Sequence, residues 1–523
     1  LTTGSANTAL GQSALEGCVD GTNNVAIGYE AGTADWGSSN VAVGYRALKL
    51  NTADNNTAVG NEALYLNTAS SNTAVGYRSM YLNTTGSSNT AYGFESLKSN
   101  TTGSDNVAVG LECLEHNTTG TQNVAVGYRA LRANTTADNN TAVGMNALVA
   151  NTTGEWNNAV GKDALAANTT GAYCVAVGKG ALQANTTANY NIAVGDYALK
   201  SNTTGTRNVA MGHAALEDYD VSDCIALGYG AARDNHSIRL LAIGYNAGLN
   251  NNAWPNIFIG YGSGGTSADI TGDQNTAVGY LTLEDITTGD GNTIMGYTAG
   301  QNITTGTANT YIGSRAGLTP TTGNNNTAIG KDSGYDLTTG SNNTFIGYQA
   351  GVTNAPSGSV TTGSNIVCLG NNSVSDLYCA DTSISSSDAR DKTDVEDFKH
   401  GLSWITELRP VTYRWDRRTW YGTDENPKGI PDGSKKRDRI HIGFLAQEAI
   451  EVEKKFGYAD KKDNMLIVNQ DEDENDPSYG MKYERLVPVL VNAIKELKAE
   501  NDELRSLIKD SKTFASLKSS INN

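Results

Sequence analysis

The chain has 523 residues, of which 18% are charged, 38% hydrophobic and 7% aromatic, with a formal net charge of −17. Gly is abundant at 58 and Pro scarce at 8, which excludes a collagen-like chain. No apolar run is long enough for a transmembrane helix, and no part of the chain is basic, so neither membrane insertion nor nucleic-acid binding is expected.

The charge is unevenly spread. Residues 1–386 hold 14 Lys+Arg and 28 Asp+Glu, whereas residues 387–523 hold 24 and 27. The second stretch is far denser in charge, so two architectures join near residue 386. Leu1 lies inside a repeat and no signal peptide is visible, so the expectation is a fragment lacking its N-terminal region. The cysteines at 18, 113, 174, 224, 368 and 379 are scattered, with no CxxC and no nearby His cluster. They read as isolated thiols, and neither a metal site nor a cofactor is expected.

Residues 1–370 repeat one motif, clearest as Asn123-Val-Ala-Val-Gly127-Tyr-Arg-Ala-Leu131 followed by Asn134-Thr-Thr. The motif glycine recurs 22 times, from Gly11 to Gly370, at steps of 16 or 17 except before Gly279 and Gly370. Helical repeats are longer, so a period of 17 suits one coil of a β-solenoid. Thr57 and Val59 point to one side of a strand and Ala58 to the other. The Val and Ile positions are expected to form inner ladders, and stacked Asn side chains to satisfy one another. Asn-Thr-Thr-Gly supplies a turn, which also accounts for the many Asn-x-Thr triplets. At the strand spacing, 22 coils span roughly 100 Å. So thin a coil has little core of its own. The Ala and Leu positions, read as outward-facing, would therefore be buried against other copies of the chain.

The motif resembles the head repeats of trimeric autotransporter adhesins, best seen at Asn23–Gly28 and Asn123–Gly127. That resemblance implies a left-handed parallel β-roll in a homotrimer. Similar repeats occur in phage tail fibres. Tyr follows the motif glycine ten times, Tyr29 and Tyr128 among them, and reads as a packing ladder rather than a glycan-binding stripe. Trp36, Trp156 and Trp254 sit in turns and are the candidate ligand-binding residues of the shaft.

Residues 371–386 form a Ser-rich junction. Beyond it lie Ser387-Asp-Ala-Arg-Asp-Lys392, Leu408–Trp415, His441–Glu448, Met481–Leu486 and Leu490–Leu497. In this order and spacing, these segments resemble the intramolecular chaperone auto-processing domain that ends endosialidase tailspikes and many phage tail fibres. The resemblance implies a domain over 387–485 that trimerises first, templates the shaft and then cuts itself off. It further implies Ser387 as nucleophile, Lys392 as base and Ser386–Ser387 as the scissile bond. A serine hydroxyl needs a base, and lysine serves only when neutral, a state that burial or a nearby cation such as Arg390 favours. Residues five apart share no face of a helix or strand, so the pair needs a turn between its members or a lysine from another chain.

Val487, Leu490, Ile494, Leu497, Asn501, Leu504 and Ile508 alternate steps of 3 and 4, the seam of a coiled-coil helix over 486–512, with a tail at 513–523. Gly443–Glu448 reads as a strand entering a helix, and Asp471–Asp476 as a solvated loop rather than a cation site. The fold class expected is thus mostly β: a trimeric parallel β-solenoid of about 22 short coils, followed by a small α+β domain ending in a coiled-coil helix. The function expected is a virion tail fibre or spike, assembled in the host cytoplasm, that attaches to a cell-surface receptor or glycan. A cellular surface adhesin is the alternative, disfavoured because the C-terminus reads as a soluble coiled coil rather than a membrane barrel. No acid pair for glycan cleavage stands out in 1–370.

Overall fold

The computed structural model describes residues 3–265, 269–374, 393–421, 428–470, 477–510 and 518. The chain divides into two compact units, Leu1–Ser375 and Asp376–Asn523. The first is a parallel β-solenoid. Its 22 strands, β1 (Thr8–Leu10) to β22 (Val367–Leu369), are three residues each and form one sheet. Each strand immediately precedes a motif glycine and pairs in register with the next: Val107 with Val124, and Val124 with Thr141.

One coil, 123–139, shows how the sequence makes the turn. Asn123 is buried and its amide works in two directions. Its Nδ2 donates to Ala137 O at 2.8 Å within the coil, and its Oδ1 accepts the Asn140 N–H at 2.9 Å from the next. A second buried column runs through Asn117 and Asn134, where Asn134 Nδ2 reaches Asn117 Oδ1 at 2.8 Å and Ala137 O at 3.0 Å. The Thr after it continues the ladder, with Thr118 Oγ1 donating to Thr135 O at 2.9 Å. The Asn-Thr-Thr turns are therefore a second hydrogen-bonded edge, and buried amide groups that would otherwise be orphaned are paired coil by coil.

Between these columns the chain turns through left-handed residues. Arg129, Leu131 and Asn139 have φ of 57°, 51° and 59°. For residues with a Cβ this conformation costs roughly 1–2 kcal/mol each. What it gains is hydrogen bonding to adjacent coils: Arg129 N donates to Leu111 O at 3.0 Å, Leu131 N to Ala147 O at 2.9 Å, and Asn139 N to Thr121 O at 3.1 Å. Gly127, at φ 131°, is required on two grounds, since a Cβ there would also sit 2.7 Å from Gly144 O.

The inside of the coil differs from the sequence expectation. Ala125, Ala130 and Leu131 are fully buried within the single chain, and so are their equivalents in most of the coils, such as Ala58, Ala63 and Leu64. The flanking strand residues face outward instead; Val109, Val143 and Ile346 are exposed by 38%, 36% and 43%. The inner ladder is thus Ala and Leu, and the outer ladder Val, Ile and Thr. The reason is width. Leu131, from the turn, already fills the lumen opposite the strand, which leaves room for only a methyl at the strand centre.

That inner volume is shared out differently after the fifteenth coil. The strand centre becomes Phe258, Ile294, Tyr311 or Phe345, and the residue six further on, Leu131 in the earlier pattern, becomes Gly264, Gly300, Gly317 or Gly351. A Cβ at Gly351 would lie 2.5 Å from the Phe345 ring, and one at Gly317 2.3 Å from the Tyr311 ring. Over the same stretch the second Asn column is succeeded by buried Ile270, Ile286, Ile303 and Leu337. The five described cysteines are all buried, and burial pushes the Cys113 and Cys174 thiols up to about 11.

The second unit holds α1 (Leu402–Glu407), β23 (Val411–Tyr413), β24 (His441–Gly443), α2 (Ala446–Lys455), β25 (Val468–Gln470), β26 (Tyr479–Met481) and α3 (Leu486–Asp510). β23 pairs antiparallel with β24, and β25 with β26. Trp404, Leu408, Ala449, Ile450, Ile467, Val468, Leu486 and Val489 form its core. No helix among the described residues is long and apolar enough to cross a membrane.

Candidate functional site

Ser386, Ser387 and Lys392 lie outside the described residues, as do Ser385, Arg390 and the Asp471–Asp476 run. What the structure describes is the frame that receives the chain just after them. Asn492 Nδ2, on α3, donates to Phe398 O at 2.5 Å, and Leu402 N donates to Glu496 Oε2 at 2.5 Å. Gly401 makes this approach possible, because a Cβ there would sit 2.5 Å from the Ala493 backbone N. The segment that leaves the candidate dyad is therefore pinned to α3 within ten residues of Lys392.

The quoted sequence segments are the ones that build this frame. Leu408–Trp415 supplies β23 and His441–Glu448 supplies β24, the two partners of one ladder. Gly443 ends β24 two residues before α2 begins to form, and a Cβ there would meet Tyr483 Oη at 2.5 Å. Tyr483 Oη in turn accepts the Phe444 N–H at 3.1 Å, which fixes the strand-to-helix corner. Arg409 grips Glu448 through two hydrogen bonds, the Nε–Oε2 one at 3.0 Å. Its guanidinium holds the Glu448 carboxyl below the usual range.

Glu453 on α2 was not singled out by sequence, yet it is fully buried. Its carboxyl accepts the backbone N–H groups of Leu466, Ile467 and Val468 at 2.8, 2.7 and 2.8 Å, tying α2 to the entry of β25. A buried acid in a polar-looking helix leaves no pattern that would reveal it. Glu453→Gln keeps one oxygen but replaces the other with a donor facing a donor. The urea midpoint of the C-terminal unit should fall by the equivalent of about 1–3 kcal/mol. An unchanged midpoint in the full chain would contradict this strut role.

α3 has two apolar faces. Leu486, Val489 and Ala493 are buried in the unit, whereas Val487, Leu490, Ile494, Leu497, Leu504 and Ile508 are all exposed, Ile494 by 66%. The heptad seam read from the sequence is this exposed face.

In the shaft, the three candidate tryptophans separate. Trp36 is not at the surface: it is 1% exposed, and its Nε1 donates to Leu48 O at 3.1 Å. It is a core residue, an indole that fills the lumen and bridges to the next coil. Trp156 is exposed, and two residues missed by the sequence reading share its column, Tyr173 and Tyr190, each one coil further on. Their spacing of 17, equal to the repeat, was the available signal. Trp254 is exposed and carries the Arg239 guanidinium 5.3 Å above its ring. The tyrosines after the motif glycine do stack: from Tyr229 through Tyr245, Tyr261 and Tyr280 to Tyr297 the ring centroids are 4.9 to 5.3 Å apart. Among the described residues no cluster of His, Cys, Asp or Glu could hold a metal ion.

The family model described as chaperone of endosialidase, a peptidase family, matches residues 387–458. Among curated proteins, none matches the chain.

Proposed function

We propose that this chain, whose C-terminal region is a chaperone-of-endosialidase domain, is the shaft of a homotrimeric virion tail fibre or spike that attaches to a host-surface receptor or glycan. The observation that carries the reading is the doubly apolar α3. One face completes the domain core, and the other is an exposed seam with coiled-coil spacing, which further copies of the helix would cover. The outward Val, Ile and Thr ladder of the shaft is a second long apolar surface of the sort that a bundle of three solenoids would bury.

The domain acts first as a template. Each coil bonds to its immediate neighbours, mostly 16 or 17 residues away, so three chains starting independently would rarely stack in common register. A compact C-terminal trimer raises the local chain concentration and sets the register at the last coil. Coils then stack towards the N-terminus.

Removal of the template is chemical. Lys392, in its neutral form, takes the proton from Ser387 Oγ, which attacks the Ser386 carbonyl carbon. The C–N bond breaks as the Oγ–C bond forms, and the Ser387 nitrogen leaves as an amine carrying the transferred proton. Water then hydrolyses the Ser386 ester, which restores the Ser387 hydroxyl and leaves a Ser386 carboxylate. The released shaft is held by its unfolding barrier, since reassembly in register is no longer assisted.

Oligomeric state tests this reading. The uncleaved Ser387→Ala chain should sediment as a trimer. The same chain with Ile494→Asp and Leu497→Asp places two carboxylates in the seam, and should sediment as monomer or aggregate. A monodisperse monomer before the seam is altered would refute the trimer and the templating role together.

A further inference from the structure

We propose that the edge carrying the motif glycines faces the three-fold axis of the shaft, where the tyrosine column of each chain packs against the Val, Ile and Met column of the next. The inference rests on the homotrimer reading and names the face through which the shafts meet. Two columns flank the motif glycine on the outside of the coil. One is the last strand residue, such as Val278, Met295 and Ile312, which lie in register across successive strands. The other follows the glycine and is Tyr in ten coils. Met295 and Tyr297, on either side of Gly296, are 46% and 57% exposed. The other outward columns of this stretch are polar. The first strand residue is Thr in five successive strands, from Thr276 to Thr344, and the turns carry Thr-Thr-Gly.

Area and period commit the occupant to another copy of the chain. From Tyr229 to Tyr297 the rings stack face to face, so their faces are used within the chain and their edges point outward as a ridge. The ten tyrosines are exposed by 38–57%, which at about 200 Å² per side chain leaves about 900 Å². That is more than the roughly 300–600 Å² of the largest apolar patch on a typical monomer, and close to the roughly 800 Å² that each partner gives to a stable interface. A ridge that repeats at the coil rise is matched along its length by a surface of the same period, which a second solenoid supplies. Gly296, at φ 139°, turns the chain between the two columns, so each chain offers one column to each of its neighbours. Such a contact is heterologous and closes into a ring. Where lysine replaces tyrosine, its charge is engaged within the chain: Lys179 and Lys331 lie over the Tyr197 and Tyr348 rings at 5.0 and 5.9 Å, and Lys162 is 3.5 Å from Asp163. Their aliphatic stems continue the apolar surface.

Cysteine pairing in the full chain tests this. Cys379→Ser removes the cysteine outside the described residues, and the other five are buried. In that background, a chain with both Met295→Cys and Tyr297→Cys, oxidised under native conditions, should run as a covalent trimer on a non-reducing denaturing gel. Each new thiol then meets the other kind on the neighbouring chain. Either substitution alone should leave monomers on the gel. Ile346→Cys with Tyr348→Cys, flanking Gly347, provides a second pair that should behave alike. Sedimentation of the same samples before oxidation separates the two readings. A trimer in solution that gives no interchain bond from either pair would overturn the axis assignment and leave the trimer reading in place. A monomer in solution would overturn both. Dimers from a single substitution would place like columns together and overturn the pairing. A covalent trimer from Thr305→Cys with Ala308→Cys, two exposed turn positions, would put the turn edge at the axis instead.

Discussion

Ser387→Ala protein is expected to accumulate as the intact 523-residue chain, whereas native protein yields a product ending at Ser386. The effect should be all or none on the timescale of expression. With Oγ gone there is no group to take the Ser386 acyl carbon, and an uncatalysed peptide bond does not hydrolyse in hours. Ser385 and Ser386 offer neighbouring hydroxyls, so the intact mass of the product is the decisive reading. A residual product one or two residues shorter would show that a neighbour has taken over the attack. Lys392→Ala should slow cleavage by about 10²–10⁴-fold, the usual contribution of a positioned base. Lys392→Arg separates two roles of the same residue. An arginine keeps a cation but cannot be deprotonated in proteins, so it should be as slow as alanine if Lys392 accepts the proton. Recovery of cleavage in the arginine variant would assign Lys392 a purely electrostatic part. Native protein that stays intact as a stable trimer would make the domain a permanent cap.

The repeat was legible in the sequence almost to the residue. Each strand falls on the three residues before a motif glycine, because only there do a strand and a residue at φ near 135° alternate with the coil period. The direction of the side chains was not legible. A three-residue strand such as Thr57-Ala58-Val59 alternates with period two whichever side is inside, and hydropathy favours burying Val over Ala. What decides is the lumen: Leu64, contributed by the turn of the same coil, is fully buried and leaves Ala58 the strand-side place. The left-handed turns were hidden for a similar reason. Nothing marks Leu64 or Arg129 as a positive-φ residue until the neighbouring coil supplies its hydrogen-bond partner. In the C-terminal unit, the heptad seam and the strand-to-helix corner at Gly443 could be read from spacing. Glu453 could not, since its partners are backbone amides far along the chain. The Ser387–Lys392 pair was legible only through resemblance, because a serine and a lysine five apart have no geometric signature.

The exchange of inner volume between strand and turn predicts a rescue. Phe345→Ala removes a fully buried ring from the next-to-last coil and should cost about 3–5 kcal/mol. Gly351→Leu alone drives a side chain into that ring, whose nearest carbon is 2.5 Å from the position of a Cβ, and overpacking of this kind costs about 1–3 kcal/mol or more. Together the two changes recreate the Ala125 and Leu131 arrangement, which the earlier coils use with Leu in the same left-handed region, φ 51° against 77° for Gly351. The double variant should therefore recover most of the loss, with a coupling at the upper end of the roughly 0.5–3 kcal/mol seen for residues in contact. Rates of guanidinium unfolding of the full-length trimer, followed by far-ultraviolet circular dichroism, measure all four corners of the cycle. Rescue will be incomplete, because the Phe345 ring also lies 3.0 Å from the position a Cβ would take at Gly334 in the preceding coil, and that space stays empty in the double variant. Strict additivity of Phe345→Ala and Gly351→Leu would mean that the two halves of the coil do not share one volume, and that the large-to-small alternation along the last coils has another cause.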